Sequence, residues 1–369
     1  MTTNHGTYRN PPRYQPVPSP YATPTRPRRR FLPLLTLLAV LAFALFGISY
    51  LVSPEPDVRV RPGFAFAAIE GREVVLVPYE RHWVRGMFQL LGQDIFQVRL
   101  AAADPATGAV LWDTQLSDQL IWEASVLVAG ERYAYLTTDS GLVVVALADG
   151  SVVARGDGVK GLGSAYLAAP TAYAYDQEGR RVLALNATGD VLAVGLDQTA
   201  AVPVDMATAA AWATRLSTEP STAAPPAVTG TEAALSSTER IALRDLPFGI
   251  PGSVLDRVAQ DGQRTPVSGL AFYGAKLVVD GGTAVGAATG HVLVEHRRSV
   301  NDSGTTLSVV SLESGQVTGS LAVESQVERA AVGPDGTTAI AAREVFAVAR
   351  GDGKVVRIDV GAADFFGNP

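Results

Sequence analysis

The sequence predicts an all-β protein made of repeated four-stranded units, preceded by one apolar helix. Three observations carry this prediction. An uncharged apolar run covers residues 31–52, and beyond residue 62 short apolar runs alternate with turns rich in Gly, Asp and Asn. The turns also recur at a spacing of about 40 residues, which is typical of repeat proteins built from four-stranded units.

The apolar run reads FLPLLTLLAVLAFALFGISYLV and contains no charged residue. As a helix, a run of this length spans about 33 Å, which matches the hydrocarbon core of a bilayer. Its proline, Pro33, falls in the first turn, where the missing N–H costs little. The sequence therefore predicts a single transmembrane helix at residues 31–52, with the lipid bilayer as its partner.

Every charged residue before the run is an arginine, and four of them, Arg26, Arg28, Arg29 and Arg30, lie next to it. Because basic residues flanking a span stay on the cytoplasmic side, these arginines determine the predicted topology. Residues 1–30 are rich in proline and tyrosine without an apolar period, which predicts a disordered cytoplasmic tail. Residues 53–62 form the predicted linker to an extracytoplasmic domain at 63–369.

Cleavage of the apolar run is an alternative to anchoring. Residues 28–32 match the twin-arginine export pattern R-R-x-F-L, and residues 42–44 have the small-x-small character of a signal-peptidase site. The run continues to Val52, however, and its leucine density is more typical of an anchor. Both interpretations place the C-terminal part outside the cytoplasm.

Charge and cysteine content narrow the possible partners. Six of the 30 basic residues precede the apolar run, so 24 remain after it against all 36 acidic residues, a net charge of −12. An acidic exterior does not suit nucleic acid. The absence of cysteine excludes disulfides and a lipidated cysteine anchor, and is compatible with export.

The clearest repeat unit lies at residues 124–155, where four candidate strands (124–128, 132–137, 142–147 and 151–155) are joined by short polar turns. Similar units follow at 166–196 and 327–360. A period near 40 residues with four strands predicts a β-propeller of six to seven blades. The 40-residue spacing is interrupted near 198–252. This range is interpreted as an insertion with a short helix at 206–215.

Residues 103–112, ADPATGAVLW, resemble the A-x-D-x-x-T-G-x-x-x-W turn of PQQ-like (quinoprotein alcohol dehydrogenase-like) β-propeller repeats. Weaker copies stand at 146–150, 311–315 and 349–353, and only the first copy keeps the tryptophan, Trp112. The resemblance is to membrane-anchored bacterial members. It implies a propeller that docks proteins, with lipid-anchored assistants of outer-membrane protein assembly as a precedent. The dehydrogenases themselves typically use a vicinal cysteine pair, which this chain lacks, so no cofactor is expected.

Other candidate sites are weak. Residues 156–161 match G-x-G-x-x-G, but no helix follows to bind a pyrophosphate, so an interblade loop is expected. His291 and His296 are separated by an odd number of positions on one strand and therefore point to opposite faces, which argues against a metal site. Asp302 and Asp335 are interpreted as turn formers. No catalytic, cofactor-binding or metal-binding residue is nominated.

Tryptophans cluster in the first unit. Trp83, Arg85 and Phe88 form a possible recognition loop, because Trp and Arg dominate interaction hot spots. Trp112 and Trp122 are expected to fill space between blades instead. The sequence thus predicts a non-catalytic, membrane-tethered propeller outside the cytoplasm that acts as a scaffold or sensor for an envelope protein. An exported oxidoreductase or hydrolase, or a small-ligand receptor that uses the propeller funnel, is the alternative.

Overall fold

The computed structural model describes residues 32–52, 57–82, 96–117, 121–219 and 226–361. The chain divides into two units, Met1–Val52 and Ser53–Pro369. The first unit contains helix α1 (Leu32–Val52), whose large apolar side chains from Leu34 to Leu45 are exposed. In the described part of the chain, no helix combines the length and the mean hydropathy of a membrane span.

The second unit is built from antiparallel sheets of four consecutive strands, and the described residues form six such blades. In blade 1 the innermost position is divided between two short strands that pair with the same neighbouring strand. Val60 of the first short strand pairs with Tyr79 of this neighbour, and Ala65 of the second pairs with Leu76. The strands of the first three blades have the following bounds. Blade 1 contains β1 (Asp57–Val60), β2 (Ala65–Ile69), β3 (Arg72–His82), β4 (Phe96–Ala103) and β5 (Val110–Gln115); blade 2 contains β6 (Ala124–Ala129), β7 (Tyr133–Thr138), β8 (Gly141–Ala146) and β9 (Val152–Arg155); blade 3 contains β10 (Tyr173–Asp176), β11 (Arg181–Leu185), β12 (Val191–Gly195) and β13 (Ala201–Pro203).

Helix α2 (Met206–Trp212) follows blade 3. Blades 4 and 5 are joined into one ten-stranded sheet, because β15 pairs in parallel with β20. Two short strands, β14 (Thr229–Gly230) and β20 (Thr283–Ala284), supplement these blades. Blade 4 contains β15 (Glu232–Ala234), β16 (Glu239–Asp245), β17 (Ser253–Ala259) and β18 (Arg264–Pro266); blade 5 contains β19 (Tyr273–Asp280), β21 (His291–Arg297), β22 (Thr305–Ser311) and β23 (Val317–Val323); blade 6 contains β24 (Val327–Val332), β25 (Thr338–Ala342), β26 (Val345–Ala349) and β27 (Val355–Ile358).

Apolar cores join five pairs of blades. Separate clusters join blades 1 and 2, blades 2 and 3, blades 4 and 5, and blades 5 and 6, whereas no such cluster of the described residues joins blades 3 and 4. Another cluster joins the first blade to the last, where Phe64 and Phe346 meet edge to face with ring centroids 5.1 Å apart. Because blade 6 packs on blade 1, the first and last blades are neighbours, as the closure of a ring requires.

The turns between the third and fourth strands also define the ring, since in blades 1, 2, 5 and 6 this turn carries a glycine packed against the preceding blade. A Cβ on Gly150 of blade 2 would lie 2.6 Å from the Trp112 ring of blade 1, and a Cβ on Gly108 of blade 1 would lie 2.8 Å from the Arg357 carbonyl oxygen of blade 6. Both glycines have positive φ, 74° and 77°. The glycine contact that joins blade 1 to blade 6 is thus of the same kind as the one that joins blade 2 to blade 1. This similarity supports the propeller architecture.

The two ends of the ring differ in their connections. Since the four strands of each blade run antiparallel and in order, the connections that follow second and fourth strands lie at the end where β1 begins. We call this end the Asp57 face, and the opposite end, which carries the remaining turns, the Asp335 face. Contacts agree with this assignment: Ser253 bridges to Phe272, and the Val60 N–H donates to the Arg343 carbonyl oxygen at 2.8 Å.

The structure confirms much of the predicted organisation. The unit predicted at 124–155 is blade 2, and the predicted helix at 206–215 is α2. The G-x-G-x-x-G segment at 156–161 forms a 3-10 turn and a loop, with no α-helix after it. Within 198–252 the described residues include α2 but also β13, β15 and β16, so part of this range belongs to blades. The count of six blades lies within the predicted six to seven.

Candidate functional site on the ring axis

The predicted recognition loop of Trp83, Arg85 and Phe88 lies outside the described residues, between β3 and β4. The predicted topology determinants Arg26, Arg28, Arg29 and Arg30 also lie outside them.

The two tryptophans assigned to interblade packing differ. Trp112 packs against the core between blades 1 and 2, and its Nε1–H donates to the Leu147 carbonyl oxygen at 2.7 Å, so the prediction is confirmed. For Trp122 the prediction is wrong. Its side chain is 54% exposed and contacts the Phe96 ring at a centroid distance of 4.9 Å. Trp112 lies on a strand, whereas Trp122 lies in a connection at the Asp57 face. Sequence spacing alone could not distinguish these two positions.

The predicted turn formers are confirmed. The carboxylate of Asp302 accepts the Gly304 N–H at 2.9 Å, and that of Asp335 accepts the Thr337 N–H at 2.8 Å. The histidines lie on β21 as predicted. His291 Nδ1 lies 2.8 Å from the Thr289 carbonyl oxygen, and His296 Nε2 lies 2.8 Å from Ser308 Oγ. No cluster of three His, Cys, Asp or Glu suited to a metal ion occurs in the described ranges.

A cavity of about 840 Å³ lies at the centre of the ring. Its wall is formed by innermost strands, by the end of β7 and by the segments that lead into blades 3 and 4. Every blade or its leading segment contributes, which identifies this space as the propeller funnel. The lining consists of residues 61–63, 123–125, 137, 170, 226–228, 279–281 and 328–330.

Arg61 extends into this wall from the break between β1 and β2. Its Nη2 donates to the Trp122 carbonyl oxygen at 2.5 Å, and its guanidinium forms an ion pair with the buried carboxylate of Glu80. Its Nε–H is buried without a hydrogen-bond partner. Burial lowers the pKa of Arg61, and the nearby carboxylates of Glu123 and Glu328 oppose this shift. Arg61 thus places a partly desolvated cation beside the cavity.

Arg329 lies on the innermost strand of blade 6 and reaches across to blade 1. Its Nη1 donates to the Pro62 carbonyl oxygen at 2.9 Å, and its guanidinium lies over the Phe64 ring, 4.9 Å from the centroid. Burial lowers the pKa of Arg329, with the carboxylate of Asp280 opposing the shift. This cation therefore joins the two blades that close the ring.

The charges in the cavity wall are mixed. The two arginines stand among the carboxylates of Glu123, Asp280 and Glu328. Alongside them lie apolar and small residues, among them Pro62, Pro170 and 226–228. Such a lining suits a ligand that carries both polar groups and apolar surface, as a polypeptide segment does. Sequence reasoning missed this site because its residues come from seven separate stretches of the chain.

A second surface feature is the set of exposed apolar side chains in connections at the Asp57 face. Phe248 is 99% exposed and Met206 is 89% exposed. The exposed large apolar residues elsewhere in the ring lie on strands instead, mainly on outermost ones. The Asp57 face is therefore the apolar end of the ring. Its exposed members are Trp122, Met206, Phe248, Ile250, Leu270 and Val300.

No family model matches the sequence, and no curated protein matches it. Several solved structures match parts of this chain. BamB from Moraxella catarrhalis is 13% identical, with 83% of this chain and 97% of that chain covered and a TM-score of 0.23. The Dos1 propeller is 8% identical, with 87% and 78% covered and a TM-score of 0.24. PorZ, a surface component of the type-IX secretion system of Porphyromonas gingivalis, is 12% identical, with 81% and 38% covered and a TM-score of 0.24. With TM-scores this low, the description of the ring rests on the strands and contacts of this chain alone.

Proposed function

We propose that the chain is a non-catalytic, membrane-tethered propeller outside the cytoplasm that binds a segment of an envelope protein in its central cavity. The observation that carries this proposal is the cavity lining, which combines two partly buried arginines, three carboxylates and apolar residues from around the ring. A lining of this kind complements an extended polypeptide with side chains of both charges better than it complements one small substrate.

The tether rests on the sequence. Residues 31–52 carry no charge, arginines precede them, and the apolar side chains of α1 are exposed in its own unit. The orientation follows from the arginines, which would remain in the cytoplasm while the acidic ring lies outside.

Site-specific photo-crosslinking tests the binding site. A photoreactive amino acid at Ala227, in the cavity wall, should capture a discrete protein in intact cells that produce the full chain. The matched control is the same probe at Val153, which is exposed on the outermost strand of blade 2. Glu123→Lys should weaken capture from Ala227, since it reverses the charge of an exposed carboxylate in the cavity wall. Equal capture from both positions, or capture unaffected by Glu123→Lys, would contradict the proposal.

Topology has a separate test. Because the chain contains no cysteine, a single Val332→Cys substitution on the Asp335 face supplies one reactive thiol. A membrane-impermeant maleimide should label it in intact cells, and alkaline carbonate should leave the chain in the membrane pellet. Labelling only after lysis would overturn the orientation, and release by carbonate would overturn the tether.

A small-ligand receptor is the second candidate, because the cavity volume of about 840 Å³ falls within the range of known ligand pockets. Native mass spectrometry of the purified full chain distinguishes it. A bound small molecule would appear as added mass that is lost when Ala227→Trp fills the cavity.

A further inference from the structure

The connection between β16 and β17 is an uncharged apolar loop at the Asp57 face. Residues 246–252 read LPFGIPG. Its tip holds the Phe248 ring almost entirely in solvent, and Ile250 beside it is 54% exposed. Phe248 has φ of 63°, a left-handed conformation that is unfavourable for a bulky residue. A strained backbone that presents an aromatic ring to water is typical of a contact site.

Neighbouring connections extend this apolar surface. Leu270 precedes blade 5, next to Phe272, which bridges to Ser253 at the end of the same loop. Val300 lies in the connection between β21 and β22, and Met206 begins α2. We call residues 246–252 with Met206, Leu270 and Val300 the apolar rim. It spans blades 3, 4 and 5 at one end of the ring.

The length of chain before the ring limits what lies near the Asp57 face. Only residues 53–56 separate Val52 from Asp57, where β1 begins. Even fully extended, this stretch reaches about 18 Å at most. If α1 is the membrane anchor proposed above, Asp57 stays within that distance of the end of the anchor. The Asp57 face, which carries the apolar rim, is therefore the end of the ring to which the linker is attached.

We propose that the apolar rim inserts into the interfacial layer of the membrane that holds α1, with Phe248 and Ile250 as its deepest side chains. Exposed aromatic and aliphatic residues bind at the boundary between headgroups and acyl chains, where their apolar surface leaves water. The inference rests on the proposed tether. It adds that the ring is docked on the bilayer as well as attached to it.

Single-cysteine fluorescence tests the docking on the full chain in phosphatidylcholine–phosphatidylglycerol vesicles. A polarity-sensitive fluorophore is attached to Ile250→Cys, a position that leaves Phe248 unchanged. The matched control carries the same fluorophore on Val332→Cys, on the Asp335 face. The Ile250 probe should emit at shorter wavelength, be quenched by nitroxide-bearing lipids and resist aqueous iodide. The Val332 probe should behave in the opposite way. Phe248→Ser in the Ile250→Cys background should reduce the quenching by lipid.

The outcomes separate the two proposals. Release of the chain from the vesicles by alkaline carbonate would overturn the tether. A chain that resists carbonate while iodide quenches both probes equally would overturn the docking and leave the tether intact. A wavelength shift that grows with the protein-to-lipid ratio, without quenching by lipid nitroxides, would show that a second copy covers the rim and would also overturn the docking.

Discussion

Glu73 and Asp335 bring two carboxyl groups together at the seam between blades 1 and 6. Hydrogen bonds from Thr337 hold Asp335, and they keep its pKa low although burial acts in the opposite direction. Burial, the hydrogen bond to Asp335 and the charge of Asp335 together raise the pKa of Glu73 to about 7. Glu73 Oε1 is buried without a hydrogen-bond partner. A raised pKa of Glu73 beside a lowered pKa of Asp335 assigns the proton of the pair to Glu73 at pH values below about 7.

This proton makes stability depend on pH. The pKa of Glu73 in the folded chain lies above its ordinary value of 4.5, so folding is favoured less as pH rises from about 4.5 to 7. Glu73→Gln keeps a hydrogen-bond donor and cannot ionise. We expect its free energy of unfolding to change less between pH 5 and pH 8 than that of the parent chain, as measured by chemical denaturation. Glu178→Gln in an exposed turn is the control, and an unchanged pH dependence in Glu73→Gln would contradict the assignment.

Side-chain environment was only partly predictable from sequence. Trp112 could be placed because it follows a turn motif with a defined position on a strand, whereas Trp122 lies in a connection without such a reference. The cavity arginines, Arg61 and Arg329, carry no local signal. They come together only because the ring closes and brings positions from opposite ends of the domain next to each other.

At the scale of elements, the turns between third and fourth strands connect local sequence to blade packing. In the first turn the Asp104 carboxylate accepts the Ala106 N–H at 2.7 Å, which fixes the turn, and Gly108 then packs on the preceding blade. The glycine therefore serves two purposes, because it adopts positive φ and leaves room for the neighbouring strand.

Gly150→Ala tests the second purpose. Gly150 has φ of 74° and a Cβ there would meet the Trp112 ring, whereas Gly189 has φ of 86° and open space around it. We expect Gly189→Ala to cost about 1–2 kcal/mol from backbone strain, and Gly150→Ala to cost about 1–3 kcal/mol more from crowding. Denaturant unfolding of both variants gives the difference. Equal losses would show that Trp112 moves aside freely.

Helix α2 offers a test of capping. The Asp205 carboxylate accepts the Thr208 N–H at 2.9 Å at the N-terminus of the helix, and α2 packs on blade 3 through Ala209 and Trp212. Asp205→Ala should lower the free energy of unfolding by about 1 kcal/mol, since it leaves the N-terminal N–H groups uncapped. Asp205→Ser restores a capping oxygen and should recover most of the loss. An Asp205→Ala variant as stable as the parent would show that the cap contributes nothing.

Elements made of a short apolar run with flanking turn residues were predictable, and the strands of blade 2 begin and end within one residue of the predicted bounds. The range 198–252 was harder. Its proline- and threonine-rich segment resembles a linker, but β15 and β16 lie inside the same range, where β15 pairs with β16 and β16 pairs with β17. Short strands such as β15 have too few residues to show a period, and their pairing depends on partners far along the chain.

At the scale of the whole molecule, the described strands close the ring without strand exchange, since those of blade 1 and of blade 6 are each consecutive in the sequence. Closure depends on the apolar seam around Phe64 and Phe346, both fully buried, and on Arg329 reaching Pro62. The seam is held by side-chain packing and a few hydrogen bonds.

Phe346→Ala should therefore destabilise the ring. Removing this buried ring is expected to cost about 3–5 kcal/mol, and protection of backbone amides from hydrogen exchange should fall at the blade 1–blade 6 seam first. The matched control is Phe248→Ala, which removes an exposed phenylalanine and should change the free energy of unfolding by less than about 0.5 kcal/mol. Uniform loss of amide protection across all blades would contradict a local weakness at the seam.

The seam also affects how the chain is made. The face of blade 1 with Phe64, Val75 and Val77 packs on blade 6, which is synthesised after the other five blades. At roughly 5–20 residues per second, this apolar face waits on the order of tens of seconds for its partner. During that interval an emerging chain carries a hydrophobic surface that other chains can bind. Production of the protein should accordingly be sensitive to chaperones that shield the first blade.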